Sequence, residues 1–195
     1  MFLRKTTTAR REPAAVTMSG VRMGERLLQL GVDDARLAGV LAAKVGLSGH
    51  AAVAVTDDAS AERARHAAAD AGVLIDVRVA PLDALPFPDD DIDVVIVHGW
   101  LSLGAGHDPS SWTRALRECH RVLRRGGRII VVEGGTRKGV FAQWDRIVRR
   151  QGPDRTAAAD ASALAALGAA GFRPVRVVGE LDGLRFTEGL KSVSR

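Results

Sequence analysis

Apolar positions along this chain fall into short runs that alternate with stretches of helical spacing. Leu27, Leu28 and Leu30 surround Gln29 in a run that stops at Gly31, and Leu37, Val40, Leu41 and Val45 then recur at helical intervals up to Gly46. The first pattern predicts a strand and the second a helix closed by glycine. Ala51 to Val55 has strand length, and Ser60 stands where an N-cap would open the Ala-rich helix from Ala61 to Ala71. Further strands are predicted over Val73 to Val79, Asp93 to Val97 and Arg128 to Glu133, with a helix from Trp112 to Leu123 ending before Gly126 and Gly127.

Strand and helix alternating in this way predict an α/β chain with a doubly wound, mostly parallel sheet, because parallel strands need crossover connections that cover both faces. In such sheets ligand clefts open beyond the carboxyl ends of the strands. The cleft is therefore expected between Gly31 to Ala35, Thr56 to Ala59, Ala80 to Leu85 and His98 to His107. The tail carries a basic, partly amphipathic segment from Val140 to Arg150 and an Ala-rich helix from Ala158 to Ala170, closed by Gly171. Val175 to Val178 and Leu184 to Thr187 read as a C-terminal antiparallel hairpin turning at Asp182 and Gly183, which brings the sheet to seven strands. Without internal repeats or a linker, residues 21–195 are expected to be one domain behind a basic, flexible arm of residues 1–20.

Composition narrows the class. With 195 residues, 46% of them hydrophobic, the chain can bury a core. No apolar stretch approaches the roughly 18 residues of a membrane span. Aromatic residues are 4% and tyrosine is absent, which suits helices packed closely on a sheet and disfavours a sandwich of strands. Cys119 is the single cysteine, so disulfides and thiolate zinc sites are excluded and a reducing, cytoplasmic setting is expected. A net charge of +5 suggests attraction to nucleic acid or an anionic surface, although arginines serving only solubility are the simpler reading. Arg4, Lys5, Arg10 and Arg11, with no acid among the first eleven residues, overlap a transit peptide in composition, but a disordered arm accounts for them.

Four segments carry a family resemblance: Leu-Leu-Gln-Leu-Gly at 27 to 31, Ala-Leu-Pro-Phe-Pro-Asp at 84 to 89, Ile-Asp-Val-Val-Ile-Val at 92 to 97, and Glu-Cys-His-Arg-Val-Leu-Arg-Arg-Gly-Gly-Arg at 118 to 128. Together they resemble the class I S-adenosylmethionine-dependent methyltransferases, particularly the small-molecule type with an LPFPD loop. The resemblance implies a Rossmann-like methyltransferase fold, S-adenosyl-L-methionine as cofactor and a small-molecule methyl acceptor. It runs from about Val21 to Glu133. Few residues precede the first strand, so the cleft is expected to be open, or completed by a second subunit of a homo-oligomer.

The cofactor segments depart from the family pattern. An acid in the first strand and a G-x-G-x-G loop are replaced by Gln29, Gly31, Asp33 and Ala35, so one glycine is retained. Thr56 stands where an acid normally accepts from the ribose hydroxyls, with Asp57 one residue later and on the opposite side of a regular strand. Pro81 replaces the acid that meets the adenine amino group, leaving the Leu82 backbone amide to meet the ring. The resemblance thus assigns cofactor contacts to Gln29, Gly31, Asp33, Thr56, Asp57, Pro81, Leu82 and His98.

His98, at the end of the fourth strand, is the candidate general base, against the plainer reading of a histidine bonded to a loop carbonyl. Trp100, His107 and Asp108 would shape an acceptor pocket or simply pin their loop. His107, His120 and Asp108 repeat no ligand spacing, and no metal is expected. Gly126-Gly127 is a helix stop without the Lys-Ser/Thr of a phosphate loop, and no G-x-G-x-x-G follows the first strand. The basic stretch from Arg137 to Arg155 is read as a solvated face rather than a nucleic-acid groove, with Trp144 packing on the domain. Two functions stay open: a divergent methyltransferase with a rebuilt cofactor site, or a catalytically silent module that uses its basic face to bind a protein, nucleic acid or an anionic surface.

Overall fold

The computed structural model describes residues 13–32, 34–98, 109–134 and 163–193. Its strands are β1 (Arg26–Leu30), β2 (His50–Val55), β3 (Asp76–Val79), β4 (Ile92–His98), β5 (Leu123–Gly134), β6 (Val175–Leu181) and β7 (Leu184–Leu190). The helices are α1 (Ala14–Ser19), α2 (Ala35–Val45), α3 (Asp58–Ala71) and α4 (Pro109–Val122), followed by a helical segment over residues 163–169, here α5. All seven strands join one sheet in the order β3-β2-β1-β4-β5-β7-β6. Pairing is parallel as far as β5, and β7 is antiparallel to both β5 and β6.

Alternation along each strand feeds two separate core layers. Leu27 of β1, Ile96 of β4 and Phe186 of β7 pack with Ala14 to Val16 of α1 and Leu37, Leu41 and Val45 of α2. Leu28 and Leu30, with Val95, Val97, Ile129 and Val131, meet Leu116, Cys119 and Val122 of α4 and Leu167 of α5 on the other side. A third group joins Val53 and Val55 of β2 to Ala38 of α2 and to Ala61 and Ala64 of α3. Helices therefore cover both faces, and the winding direction reverses between β1 and β4, which is where a doubly wound sheet opens a crevice at its carboxyl rim.

Several boundaries differ from the expectations, each for a local reason. Part of the arm expected to be flexible is folded: Pro13 opens α1, Gly20 at φ +60° closes it, and Ala14, Ala15 and Val16 are buried. Residues 1–12 lie outside the described residues. The N-cap of α3 is Asp57 rather than Ser60; its carboxylate accepts from the Ser60 backbone N–H at 2.8 Å and from the Ser60 hydroxyl at 2.7 Å. Strand β3 starts only at Asp76, because Gly72 in the left-handed conformation ends α3 and Val73 to Ile75 carry the chain back to the sheet. Strand β5 begins at Leu123, with a register shift opposite Ile92 and Val94 that accommodates the Gly126 turn. Among the described residues no helix is long and apolar enough to cross a membrane.

Candidate functional site

At the reversal point, β1 ends in an uncharged polar cluster. Gln29 is fully buried, and its Nε2 donates to the Gly31 carbonyl at 2.8 Å. Its Oε1 is buried and meets no donor among the described residues. Such an orphaned acceptor costs about 1–3 kcal/mol until a donor reaches it, and here it lies beside the turn that leaves the strand. Gly31 makes that turn at φ +76°, a conformation a side chain would strain, while its N–H still donates to Ala54 on β2 at 3.1 Å. Asp34 then caps α2, accepting from the Arg36 backbone N–H at 3.1 Å. Asp33, Trp100, His107, Asp108, Trp144 and the basic stretch beyond Arg137 lie outside the described residues.

The neighbouring strand ends complete the rim. Thr56 is exposed at the end of β2, and Asp57 beside it holds its carboxylate on Ser60. Hydrogen bonds from the Ser60 hydroxyl and then its backbone N–H hold the Asp57 carboxyl below the usual aspartate value, against a small opposing effect of burial. As the N-cap of α3 it accepts one Ser60 hydrogen bond on each of its oxygens. Beyond β3, Pro81 is exposed, the Ala84 N–H closes a turn on the Pro81 carbonyl at 3.1 Å, and Leu82 is buried beneath it. Half-buried His98 ends β4, in register with Val132 of β5.

Gln29, Gly31, Thr56 and His98 thus stand at or just past the carboxyl ends of β1, β2 and β4, which are neighbours in the sheet, and Leu82 lies in the connection that follows β3. The structure adds Glu133, buried at the end of β5 and directly opposite Arg185 of β7. An acid closing the apolar run from Ile129 to Val132 was the available signal for it. Among the described residues no three His, Cys, Asp or Glu side chains come together as metal ligands.

The fold is that of a doubly wound α/β protein whose winding reverses between β1 and β4. A family profile described as a methyltransferase domain matches residues 28–131, more than half of the chain. This chain belongs to that family, the class I S-adenosylmethionine-dependent methyltransferases. A ubiquinone/menaquinone biosynthesis C-methyltransferase UbiE from Serratia proteamaculans is 33% identical over 120 residues, covering 60% of this chain and 46% of the relative. The UbiE protein of Azotobacter vinelandii is 36% identical over 121 residues, again 60% of this chain and 46% of that protein. The chain therefore spans about half the length of the curated relatives it matches. Among solved structures, a SAM-dependent methyltransferase from Aquifex aeolicus superposes with a TM-score of 0.70 at 17% identity, covering 90% of this chain and 86% of that one. One from Methanococcus maripaludis, described as a putative S-adenosyl-L-methionine-dependent methyltransferase, gives 0.69 at 16% identity, covering 92% and 83%. These two likenesses speak to the fold alone.

Proposed function

We propose that this chain binds S-adenosylmethionine at its carboxyl rim and transfers the methyl group to a small molecule. The observation that carries this reading is the fully buried Gln29, whose Oε1 lacks a donor beside the Gly31 turn. An amino-acid ammonium is the kind of donor that this acceptor lacks, and the bare Gly31 backbone allows close approach. Gln29 and Gly31 would hold the methionyl end, Thr56 the ribose and the Leu82 backbone the base, with His98 on the acceptor side. The cofactor supplies an electrophilic sulfonium methyl, and the chain's part is chiefly to orient it and the acceptor in line. The curated relatives' names make a quinone precursor, methylated at carbon, the first acceptor to assay. The lone, buried thiol of Cys119 accords with a cytoplasmic site of action.

A second reading has its own observation. Asp57 is engaged by Ser60 and the neighbouring ribose position is a neutral Thr56, so two charge-assisted bonds of the family pattern are missing. Each is worth about 1.5–3 kcal/mol, which weakens affinity by roughly 10²- to 10⁴-fold and would suit a silent module that binds a protein, nucleic acid or anionic surface. Calorimetric titration with S-adenosylmethionine and S-adenosylhomocysteine separates the two. Micromolar binding that weakens in Gln29→Leu supports the enzyme. Absence of heat and of any thermal shift at millimolar ligand rejects it and leaves the module, to be assayed with oligonucleotides and anionic vesicles at stated salt.

A further inference from the structure

Helix α4 carries a polar stripe, Arg114, Glu118 and Arg121, at i, i+4 and i+7, which falls on one side of the helix. Every member of the stripe reaches the connection between β3 and β4. Arg114 Nε donates to Asp83 at 3.1 Å. Glu118 Oε2 accepts from the Leu85 backbone N–H at 3.0 Å. Arg121 Nη2 donates to the Leu85 carbonyl and its Nη1 to the Phe87 carbonyl, both at 2.9 Å, while Nη1 also meets Asp89 at 2.6 Å. The same guanidinium is fixed by Glu118 through Nε at 2.9 Å and Nη2 at 2.8 Å. At the helix end the Arg121 carbonyl accepts from the Asp90 N–H at 3.1 Å.

Surface pairs hold little, but this cluster differs from one. Arg121 and Glu118 are largely shielded, at 32% and 20% side-chain exposure, and the guanidinium bonds two backbone carbonyls of the loop, that of Phe87 and that of Leu85, which also accepts from the Phe87 N–H. Hydrogen bonds from Arg121, ahead of a smaller opposing effect of burial, hold the Glu118 carboxyl below the usual glutamate value. A planar fork spanning two carbonyls and two carboxylates fixes a loop's path in a way that a lysine ammonium does not. Leu82 and Leu85, buried against Trp112 and Leu116, hold the same loop from beneath.

We propose that the Arg114–Glu118–Arg121 stripe holds the 81–90 loop in register for reading the purine of the bound cofactor, with Arg121 as its central positioning residue. This rests on the cofactor reading above, in which the Leu82 amide meets the base. Adenine offers N1 as an acceptor, whereas hypoxanthine carries a proton there, so a backbone N–H held in place discriminates between them. A loop free to shift loses that discrimination even where it still binds.

The test measures the affinities of S-adenosylhomocysteine and S-inosylhomocysteine for the wild-type chain, Arg121→Ala and Arg121→Lys. Wild type should prefer the adenosyl compound by about tenfold or more, the worth of one good hydrogen bond, and both variants should lose most of that preference. Arg121→Lys keeps the charge beside Glu118, so it serves if Arg121→Ala does not fold. Amide exchange adds a readout independent of ligand: Leu85 should lose protection in both variants while β4 keeps it. A preference unchanged in folded variants, or absent from wild type, overturns the positioning role while leaving cofactor binding intact. Failure of wild type to bind either compound removes the cofactor reading itself, and the base-reading role with it.

Discussion

Arg128 of β5 and Glu25, just ahead of β1, face one another as a two-bonded pair, Nη1 to Oε1 at 2.8 Å and Nη2 to Oε2 at 3.0 Å. The same guanidinium donates to the Gly20 carbonyl at 2.7 Å and the Ser19 carbonyl at 3.3 Å, so it also caps the end of α1. Burial works to raise the Glu25 carboxyl, but bonds from Arg128 and the Arg22 N–H outweigh it and hold the carboxyl below the usual value. Arg128→Ala should cost about 2–3 kcal/mol in urea unfolding, the penalty of stranding a mostly buried carboxylate and two carbonyls. Amide exchange should show α1 losing protection first, and a variant with unchanged protection there would refute the pinning.

One substitution should act with opposite signs at two glycines. A Cβ on Gly39 of α2 would lie 2.9 Å from the Ala71 Cβ and 3.1 Å from the Ala67 carbonyl, at the contact with α3. Gly168 of α5 has open space around it. Gly168→Ala should stabilise by up to about 1 kcal/mol through helix propensity. Gly39→Ala should destabilise by about 1 kcal/mol, because forcing two helices apart outweighs the same propensity gain. Thermal melts of the two variants decide the matter.

Stability should fall in two stages as pH drops. His120 packs edge-on against Phe172 with ring centroids 5.0 Å apart, and burial, then Lys191, lower its pKa, with Asp90 opposing. A lowered folded value means that the unfolded chain binds the proton more readily. The contribution is complete above the ordinary histidine value near pH 6.5 and is lost as pH falls below it. Glu25, Asp93 and Glu118 are also lowered, so their share is complete above the ordinary carboxylate range and is lost below about pH 4.5. His120→Gln should remove the first decline in urea midpoint and leave the second. A first decline that survives the substitution would assign it to another group.

Much of this architecture was legible as pattern. The runs at Leu27 to Leu30, Ala51 to Val55 and Asp93 to Val97 are strands because their apolar side chains fill both core layers, and the hairpin at Asp182 and Gly183 follows from residues that tolerate positive φ. Helix α1 was hidden, since six residues beside a basic arm carry too little periodicity, and only docking on Phe186 and Leu41 stabilises them. Asp57 and Ser60 are both good caps, and the choice between them depends on where β2 releases the chain. At the rim, the positions of Gln29, Gly31 and Leu82 could be read by resemblance. The unmatched Gln29 oxygen could not, because it depends on which donors the folded chain brings within reach.

Strand β7 follows β6 in the chain yet lies between β5 and β6 in the sheet. Residues 184–190 pair with β6 across a tight local turn and with β5 from far along the chain, so β5 keeps an open edge until the hairpin docks. Docking of that hairpin is the long-range pairing that covers the β5 edge, an edge otherwise open to mispairing with other chains.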